Sequence, residues 1–345
     1  MDQKSIVSVT KVGDGSIEEA VNNCIDLIGG LDDLERKKTI AIKPNLCGPK
    51  SSRSGMTTDP TIVESLIKKL NSIHSTKINI VETNNSHATA DKTFTELGYR
   101  DIANKFQNVE CINLSKDARL RMSLDGELFS TILVPETMIF SDYLINVAKL
   151  KTHVDYYYTG ALKNAYGFLL ARTRRRMYHG FMHKALVDLN RIYRPDLSII
   201  DGTFGMEGFG PTDGNPKWVG VIVASKDPVA ADSVAAQIMG INPSKIKHLK
   251  YAEKKGIGNY RNIEVVGCDI EEVKTKFKFI PLKLYYIGRL SLMFQRFSWY
   301  YRNFGRFLGL VRSALSTIGF SDLKERSSYK GLLHLAKDTI FKING

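Results

Sequence analysis

The sequence predicts an α/β protein with a mostly parallel sheet flanked by helices, followed by a basic amphipathic helical tail. Along residues 1–273, short apolar runs rich in β-branched residues alternate with segments whose apolar residues recur at helical spacing, a pattern typical of parallel sheets. A composition of 43% hydrophobic and 25% charged residues is typical of a globular protein. A length of 345 residues allows one large domain or two ordinary ones. We therefore expect an α/β domain over 1–273 and a helical extension over 274–345.

The strand and helix patterns follow one another in order. Strand patterns occur at 37–45, 77–83, 108–114, 130–136, 143–149, 195–201, 218–225 and 262–268. Helical patterns occur at 17–29, 59–73, 159–170, 181–192, 228–239 and 244–255. Asp59 with Pro60, and Asp227 with Pro228, are typical helix starts because the carboxylate caps the first turn and proline fits its first position. Asp232 lies inside the second of these helices, and its role stays open.

The tail carries most of the positive charge. Residues 274–345 contain 14 Lys and Arg against 3 Asp and Glu, whereas the remaining 273 residues contain 35 against 33. Apolar residues recur every three or four positions from Leu282 to Leu315, which predicts one amphipathic helix or, because of the glycines in this stretch, two shorter ones. The helix could pack on the domain, or residues 274–315 could bind an anionic membrane surface. Nucleic acid is disfavoured because the domain itself is nearly neutral.

Cysteine usage and the N-terminus predict a reducing, cytoplasmic location, with the tail as a peripheral membrane contact. Cys24, Cys47, Cys111 and Cys268 are far apart and form no CxxC pair, so neither an iron–sulfur cluster nor a disulfide framework is expected. The N-terminal residues lack the apolar core of a signal peptide. No run of 18 or more uncharged apolar residues could cross a bilayer.

The segment KLKTHVDYYYTGALKN (149–164) is the best candidate for a functional site. Lys149, Lys151 and His153 alternate after the apolar run YLINVA, so we expect their side chains on one side of the chain, just past a strand end. Lys163 and Asn164 follow near the start of a predicted helix. Cations, an imidazole and an amide at the carboxyl end of a strand favour binding of an anion.

Two other strand ends carry polar side chains of the same kind. Lys43 and Asn45 precede the Gly/Ser-rich loop 47–55, whose backbone N–H groups could bind an anion. It is not a P-loop, because the GxxxxGK[ST] spacing is absent. Glu82 ends the strand over 77–83 and is either a site residue or the partner of a nearby lysine.

A glycine-dense acidic segment, DGTFGMEGFGP (201–211), supplies carboxylates. We expect a loop folded over a ligand, in which Asp201 and Glu207 could bind a divalent cation such as Mg²⁺. No HxH or HExxH spacing supports zinc.

Three residues of the 149–164 segment are candidates for chemistry. His153 could transfer protons, since its ordinary pKa lies near neutrality. Lys151 or Lys163 could neutralise charge or form a Schiff base. The arginines that follow (Arg172, Arg174, Arg175 and Arg176) are either a solvated face or a phosphate-binding cluster.

These motifs together resemble one family. KPN (43–45), TDP (58–60), KLKTH (149–153), ALKNAYG (161–167), DGTFGMEGFGP (201–211), SKDPVAAD (225–232) and MG (239–240) occur in an order similar to that of the domain of unknown function 362 family, over about residues 5–270. The resemblance implies an α/β fold and a pocket but no agreed reaction. Members that carry a ferredoxin-like iron–sulfur segment differ from this chain, whose cysteines cannot supply the ligands.

We therefore expect an enzyme of unassigned reaction that binds a phosphorylated or carboxylated small molecule. Lys43, Asn45, Glu82, Lys149 and Asn164 would bind the ligand, and Lys151, His153 and Lys163 would carry the chemistry. The alternative is a non-catalytic peripheral membrane or assembly protein that acts through its basic tail.

Overall fold

A nine-stranded sheet is the centre of the structure, a computed structural model that describes residues 4–13, 16–31, 34, 37–73, 76–170 and 178–280. The strands are β1 (Ser5–Lys11), β2 (Thr39–Pro44), β3 (Lys77–Glu82), β4 (Val109–Asn113), β5 (Arg119–Ser123), β6 (Thr131–Pro135), β7 (Tyr143–His153), β8 (Tyr157–Thr159), β9 (Leu197–Glu207), β10 (Asn215–Ser225) and β11 (Ile263–Gly267). Their order is β11-β1-β10-β9-β7-β2-β3-β4. β8 pairs with the end of β7, and β5 with β6 forms a separate hairpin.

The sheet is mostly parallel, as the sequence predicts. β9, β7, β2, β3 and β4 run parallel to one another, and β1 runs parallel to β11. β10 is antiparallel to both strands beside it. The carboxyl ends of β9, β7, β2 and β3 consequently lie along the same edge.

Helices cover both faces of the sheet. They are α1 (Ile17–Asp26), α2 (Pro60–Ile73), α3 (Ala90–Glu96), α4 (Tyr99–Ala103), α5 (Glu136–Ile139), α6 (Ala161–Asn164), α7 (Met182–Ile192), α8 (Pro228–Ile238), α9 (Lys247–Lys254) and α10 (Ile270–Val273). α1 and α2 bury their apolar sides against one face, where alternate residues of β2 and β7 meet them. α6, α8 and α9 pack on the other face against β9 and β10, and α7 with the β5–β6 hairpin continues that layer over β2.

The predicted strands are all present, and three segments differ from their predictions. β7 continues through His153, so Lys149, Lys151 and His153 lie in the strand rather than past its end. β9 continues through Glu207, so the first part of the predicted glycine loop is strand. The helix predicted over 159–170 is instead β8, the short helix α6 and a 3₁₀ turn over Ala165–Phe168.

The end of the described chain packs on the body as an extended segment. Thr275 and Phe277 donate backbone hydrogen bonds to Ile238 and Met239, and the Phe277 ring is buried. The chain divides into two compact units, Met1–Met293 and Phe294–Gly345, and the boundary at residue 273 stays a prediction. The predicted tail helix after residue 280 and the arginines at 172–176 lie outside the described residues. No helix in the described ranges is long and apolar enough to cross a membrane.

Candidate functional site

Four neighbouring parallel strands bring the predicted site residues together at one edge of the sheet. Asp201 of β9 is in register with Lys149 of β7, and Lys43 of β2 is in register with Asn146 of β7. Glu82 is the last residue of β3, the next strand along. The clustering expected from the strand-end positions is therefore present.

Two of the buried lysines form ion pairs. Lys43 Nζ lies 2.7 Å from Glu82 Oε2, and Lys149 Nζ lies 2.7 Å from Asp201 Oδ2. The side chains of the second pair are completely inaccessible to solvent. Both carboxylates also accept backbone hydrogen bonds, from Leu46 and Thr83 on Glu82 and from Asp59 and Thr203 on Asp201. A buried charge needs such partners to remain ionised.

Lys151 is buried without a carboxylate partner. Its Nζ donates to Met56 O at 2.8 Å and Asn45 Oδ1 at 3.0 Å, and lies 3.2 Å from Cys47 Sγ. The side chain is about 1% exposed, and the described part of the chain places no carboxylate oxygen within 4.0 Å of its Nζ. Neutral oxygens solvate the ammonium but leave its charge uncompensated.

A chain of amides connects Lys151 to the next strand. Asn45 Oδ1 accepts from Lys151, and Asn45 Nδ2 donates to Asn164 Oδ1 at 3.0 Å. Asn164 Nδ2 in turn donates to Asn146 Oδ1 at 2.7 Å and to Lys43 O at 3.2 Å. Asn45 and Asn164, both predicted as ligand contacts, therefore hold the site together through their own hydrogen bonds.

Lys163 has no hydrogen bond or ion pair with any described residue. It is half-buried on α6, and its Nζ lies 5.9 Å from the centre of the Tyr166 ring. Burial, and then the charge of Lys151, lower the pKa of Lys163 to about 8. An amine of this kind can still carry a proton near neutral pH and can also release it.

These side chains surround a pocket of about 140 Å³. The predicted residues that line it are Lys43, Asn45, Glu82, Lys151, Lys163 and Asn164. Its charged groups are three lysines and one glutamate, so the wall is cationic. The volume exceeds the roughly 10–15 Å³ that one water needs but falls below the roughly 300 Å³ of pockets for drug-sized ligands. It suits a small anion or one anionic group of a larger molecule.

Four of the predicted site residues do not line this pocket. Lys149 and Asp201 are paired beneath it. Glu207 accepts from the backbone N–H of Lys278 at 2.9 Å and lies 3.5 Å from Lys217 Nζ. Both oxygens of Asp201 accept two hydrogen bonds each, from Asp59, Lys149 and Thr203. A metal at Asp201 and Glu207 stays a prediction, and the two carboxylates have separate intramolecular partners.

His153 lies beside the pocket, in a second polar cluster. Its Nδ1 accepts a 3.0 Å hydrogen bond from the backbone N–H of Asp155, and its ring lies 5.7 Å from that of His179. Burial, and then the charge of Lys163, lower the pKa of His153 well below its usual value and the pKa of His179 to about 3. Both imidazoles are therefore neutral at physiological pH.

Asp232 positions the helix that carries Lys163. From α8, its carboxylate accepts from the backbone N–H groups of Ala161 and Leu162 and from the Tyr158 hydroxyl. A Cβ atom at Gly160 would overlap Asp232 Oδ1, so glycine there permits the close approach. The SKDPVAAD and ALKNAYG segments, distant in sequence, are joined by these bonds.

Sequence reasoning missed several residues of the pocket. They are Leu46, Cys47, Asn85, Thr159, Tyr166, Gly167 and Pro211. Cys47 and Pro211 belong to the glycine-rich segments already singled out, and Tyr166 to the motif of Lys163, so motif membership was the available signal. Asn85 had no such signal, because a lone amide three residues after a strand is common in turns.

Comparisons with known proteins give one family match, one related sequence and one similar solved structure. The family described as Domain of unknown function (DUF362) matches residues 40–237. The thylakoid-associated protein sll1697 of Synechocystis sp. is 30% identical over 143 residues, which are 40% of this chain and 44% of that protein. The match thus spans less than half the length of that relative. Among solved structures, the lactate racemase apoprotein of Thermoanaerobacterium thermosaccharolyticum superposes with a TM-score of 0.47 at 13% identity, covering 69% of this chain and 57% of that one.

Proposed function

The chain belongs to the DUF362 family, and from its pocket we propose that it is an enzyme that binds a small phosphorylated or carboxylated molecule. The observation that carries the proposal is Lys151, a buried ammonium with neutral partners and no carboxylate, at the wall of a 140 Å³ pocket. A bound anion would supply the missing negative charge.

Two lysines with different surroundings support different roles. Lys151 is held in place by Met56 O and Asn45 Oδ1, so it suits a fixed contact to an anionic oxygen. Lys163 has no hydrogen-bond partner among the described residues and has a pKa of about 8, so it suits proton transfer to or from a reacting atom. Because His153 does not line the pocket, we assign that step to Lys163 rather than to His153.

The ligand contacts follow from the same geometry. Asn45 and Asn164 keep Lys151 oriented through their chain of amides, and Lys43 with Glu82 forms a neutral pair at the far wall. We do not extend the proposal to a Mg²⁺ ion at Asp201 and Glu207, since all four hydrogen bonds to Asp201 come from the protein itself.

Binding of inorganic phosphate and of acetate by the full chain tests the proposal. Lys151→Met keeps the length of the side chain but removes its charge. The loss of one charged hydrogen bond is worth roughly 1.5–3 kcal/mol, so we expect the affinity measured by calorimetry to fall roughly ten- to a hundredfold. Lys92→Met, at an exposed lysine on α3, is the matched control. Equal affinities for Lys151→Met and wild type would contradict the proposal.

A second candidate function is peripheral attachment to an anionic membrane. The charge balance of +11 over residues 274–345 and the apolar stripe from Leu282 to Leu315 favour it, and a relative carries the description thylakoid-associated. Flotation of the full chain with vesicles containing anionic lipid tests it. Replacement of Arg289, Arg296, Arg302 and Arg306 by Gln should reduce the bound fraction. Absence of the wild type from such vesicles at low salt would exclude the idea.

A further inference from the structure

Two histidines and one aspartate beside the pocket have the arrangement of a metal site. The candidate ligand atoms of His153, Asp155 and His179 all lie within 4.8 Å of one another. His179 Nδ1 and Asp155 Oδ2 are 3.8 Å apart. Among the described residues, no other group of three His, Cys, Asp or Glu side chains has its ligand atoms so close together.

The spacing is close to what a metal ion requires. Bonds of roughly 2.0–2.2 Å from a metal to nitrogen and oxygen put two ligands of a tetrahedral ion about 3.4 Å apart. The three side chains would need to move together by on the order of 1 Å. Asp155 lies in the turn between β7 and β8, and His179 begins a short 3₁₀ turn before α7, so both are at positions where such movement disturbs no strand.

We propose that His153, Asp155 and His179 bind one divalent transition-metal ion, of the class of Zn²⁺ or Fe²⁺. Two imidazoles and one carboxylate are a donor set for such ions, whereas Mg²⁺ and Ca²⁺ prefer oxygen ligands alone. Three protein ligands leave a coordination position open for water or substrate. The inference goes beyond the proposed anion binding and does not rest on it.

His153 offers a free electron pair on the side of Asp155. The lone pair of His153 Nδ1 is available there because this atom accepts the hydrogen bond from the Asp155 N–H. A metal on this atom replaces one neutral hydrogen bond. The Tyr156 hydroxyl donates to the backbone oxygen of His179, which holds His179 near the turn that carries Asp155.

Lys163 acts in opposite directions on the two sites. The centre of the Tyr166 ring lies 5.9 Å from Lys163 Nζ and 6.3 Å from the centre of the His179 ring, so the ammonium is near enough to oppose a cation bound to His179. The carboxylate of Asp155 offsets this repulsion. Because Lys163 also lines the pocket, its removal should weaken the binding of an anion and strengthen the binding of a metal.

Titration of the metal-free full chain with Co²⁺ and with Zn²⁺ tests the site without any assay of activity. We expect one ion per chain, and for Co²⁺ the visible absorption of a site with mixed nitrogen and oxygen ligands. Asp155→Asn and His179→Gln, both at half-buried positions, should each weaken binding by about tenfold or more. His87→Gln, at an exposed histidine, should leave it unchanged.

Lys163→Met separates this proposal from the function proposed above. Metal affinity should rise roughly tenfold as one positive charge is removed, while phosphate affinity falls. Phosphate binding without metal binding would overturn the metal site alone, and metal binding without phosphate binding would overturn the proposed function alone. The metal site would also be overturned if His87→Gln lost metal binding. The same holds if His179→Gln bound the metal as tightly as wild type does.

Discussion

The Lys149–Asp201 pair differs from the surface ion pairs of this protein because neither side chain touches solvent. Lys11 and Glu272, by contrast, form a pair at the same 2.7 Å distance with about half of each side chain exposed. An exposed pair contributes about 0–1 kcal/mol. Removal of one partner from a buried pair leaves a buried charge without compensation and costs about 3–5 kcal/mol.

Asp201→Asn should therefore lower the free energy of unfolding by about 3–5 kcal/mol. Urea denaturation followed by circular dichroism measures the change, and Glu272→Gln is the surface control, with an expected loss below about 1 kcal/mol. The double variant Lys149→Met/Asp201→Asn should recover part of the loss because no unpaired charge remains. If Asp201→Asn and Glu272→Gln cost the same, the pair has no special role in stability.

At the scale of single residues, the sequence allowed prediction of which side chains gather but not of how they pair. Alternation along β7 put Lys149 and Lys151 together, yet one pairs with Asp201 and the other has only neutral partners. The difference depends on an irregularity between β7 and β9, which shifts the register after Lys149. The sequence of one strand does not predict such a shift in register, because the shift depends on how the two strands pair.

Among the elements, α6 is too short to stabilise itself, because it has a single turn over Ala161–Asn164. Isolated helices need about 12–15 residues to be marginally stable. Its position depends instead on Asp232, whose carboxylate accepts from Ala161 and Leu162. Burial raises the pKa of Asp232 to about 7, although the three hydrogen bonds it accepts act in the other direction.

The stability that Asp232 contributes should depend on pH. A carboxyl whose pKa is raised on folding, from 3.8 to about 7, binds its proton more tightly in the folded state. Its contribution is fully present below about pH 4 and is lost as the pH rises through about 7. The free energy of unfolding of wild type, relative to Asp232→Asn, should fall by roughly 4 kcal/mol across that range. A difference that is constant with pH would contradict this assignment.

The glycine-dense segment 201–211 was predicted as a loop, but its first part belongs to the strand β9. Gly202 and Gly205 lie inside β9 and serve close packing rather than a turn. A Cβ at Gly202 would lie 2.7 Å from the Val221 side chain, and one at Gly205 would lie 2.8 Å from the Phe277 ring. Glycine within a strand often marks such a close approach. The sequence does not show this, because the neighbouring side chains, here Val221 and Phe277, become known only from the fold.

For the whole molecule, charge is divided between a nearly neutral body and a basic tail. The charge balance and eight of the eleven described strands were predictable, because each depends on composition or on local periodicity. The antiparallel direction of β10 was not, because it depends on pairing with β1 and β9, and β1 lies far from it in sequence.

This division predicts two different responses to salt. Binding of the full chain to anionic vesicles should fall steeply between about 0.05 and about 0.5 M NaCl, because exposed charges are screened. The midpoint of urea unfolding should change little, because the Lys43–Glu82 and Lys149–Asp201 pairs are buried. Vesicle flotation and denaturation at the same salt concentrations check both, and a vesicle-bound fraction independent of salt would contradict an electrostatic role for the tail.

The pairing of β1 has a consequence for the order of events during synthesis. Ser5–Lys11 is synthesised before the other described strands, but its partners are Val221–Ala224 of β10 and Ile263–Gly267 of β11. At a synthesis rate of about 5–20 residues per second, it waits roughly 10–50 s for them. Meanwhile β2, β3 and β4 can already pair with one another. The walls of the pocket that β2, β3 and β7 supply can therefore assemble before the first strand joins the sheet, whereas α6 takes its position only after Asp232 is made.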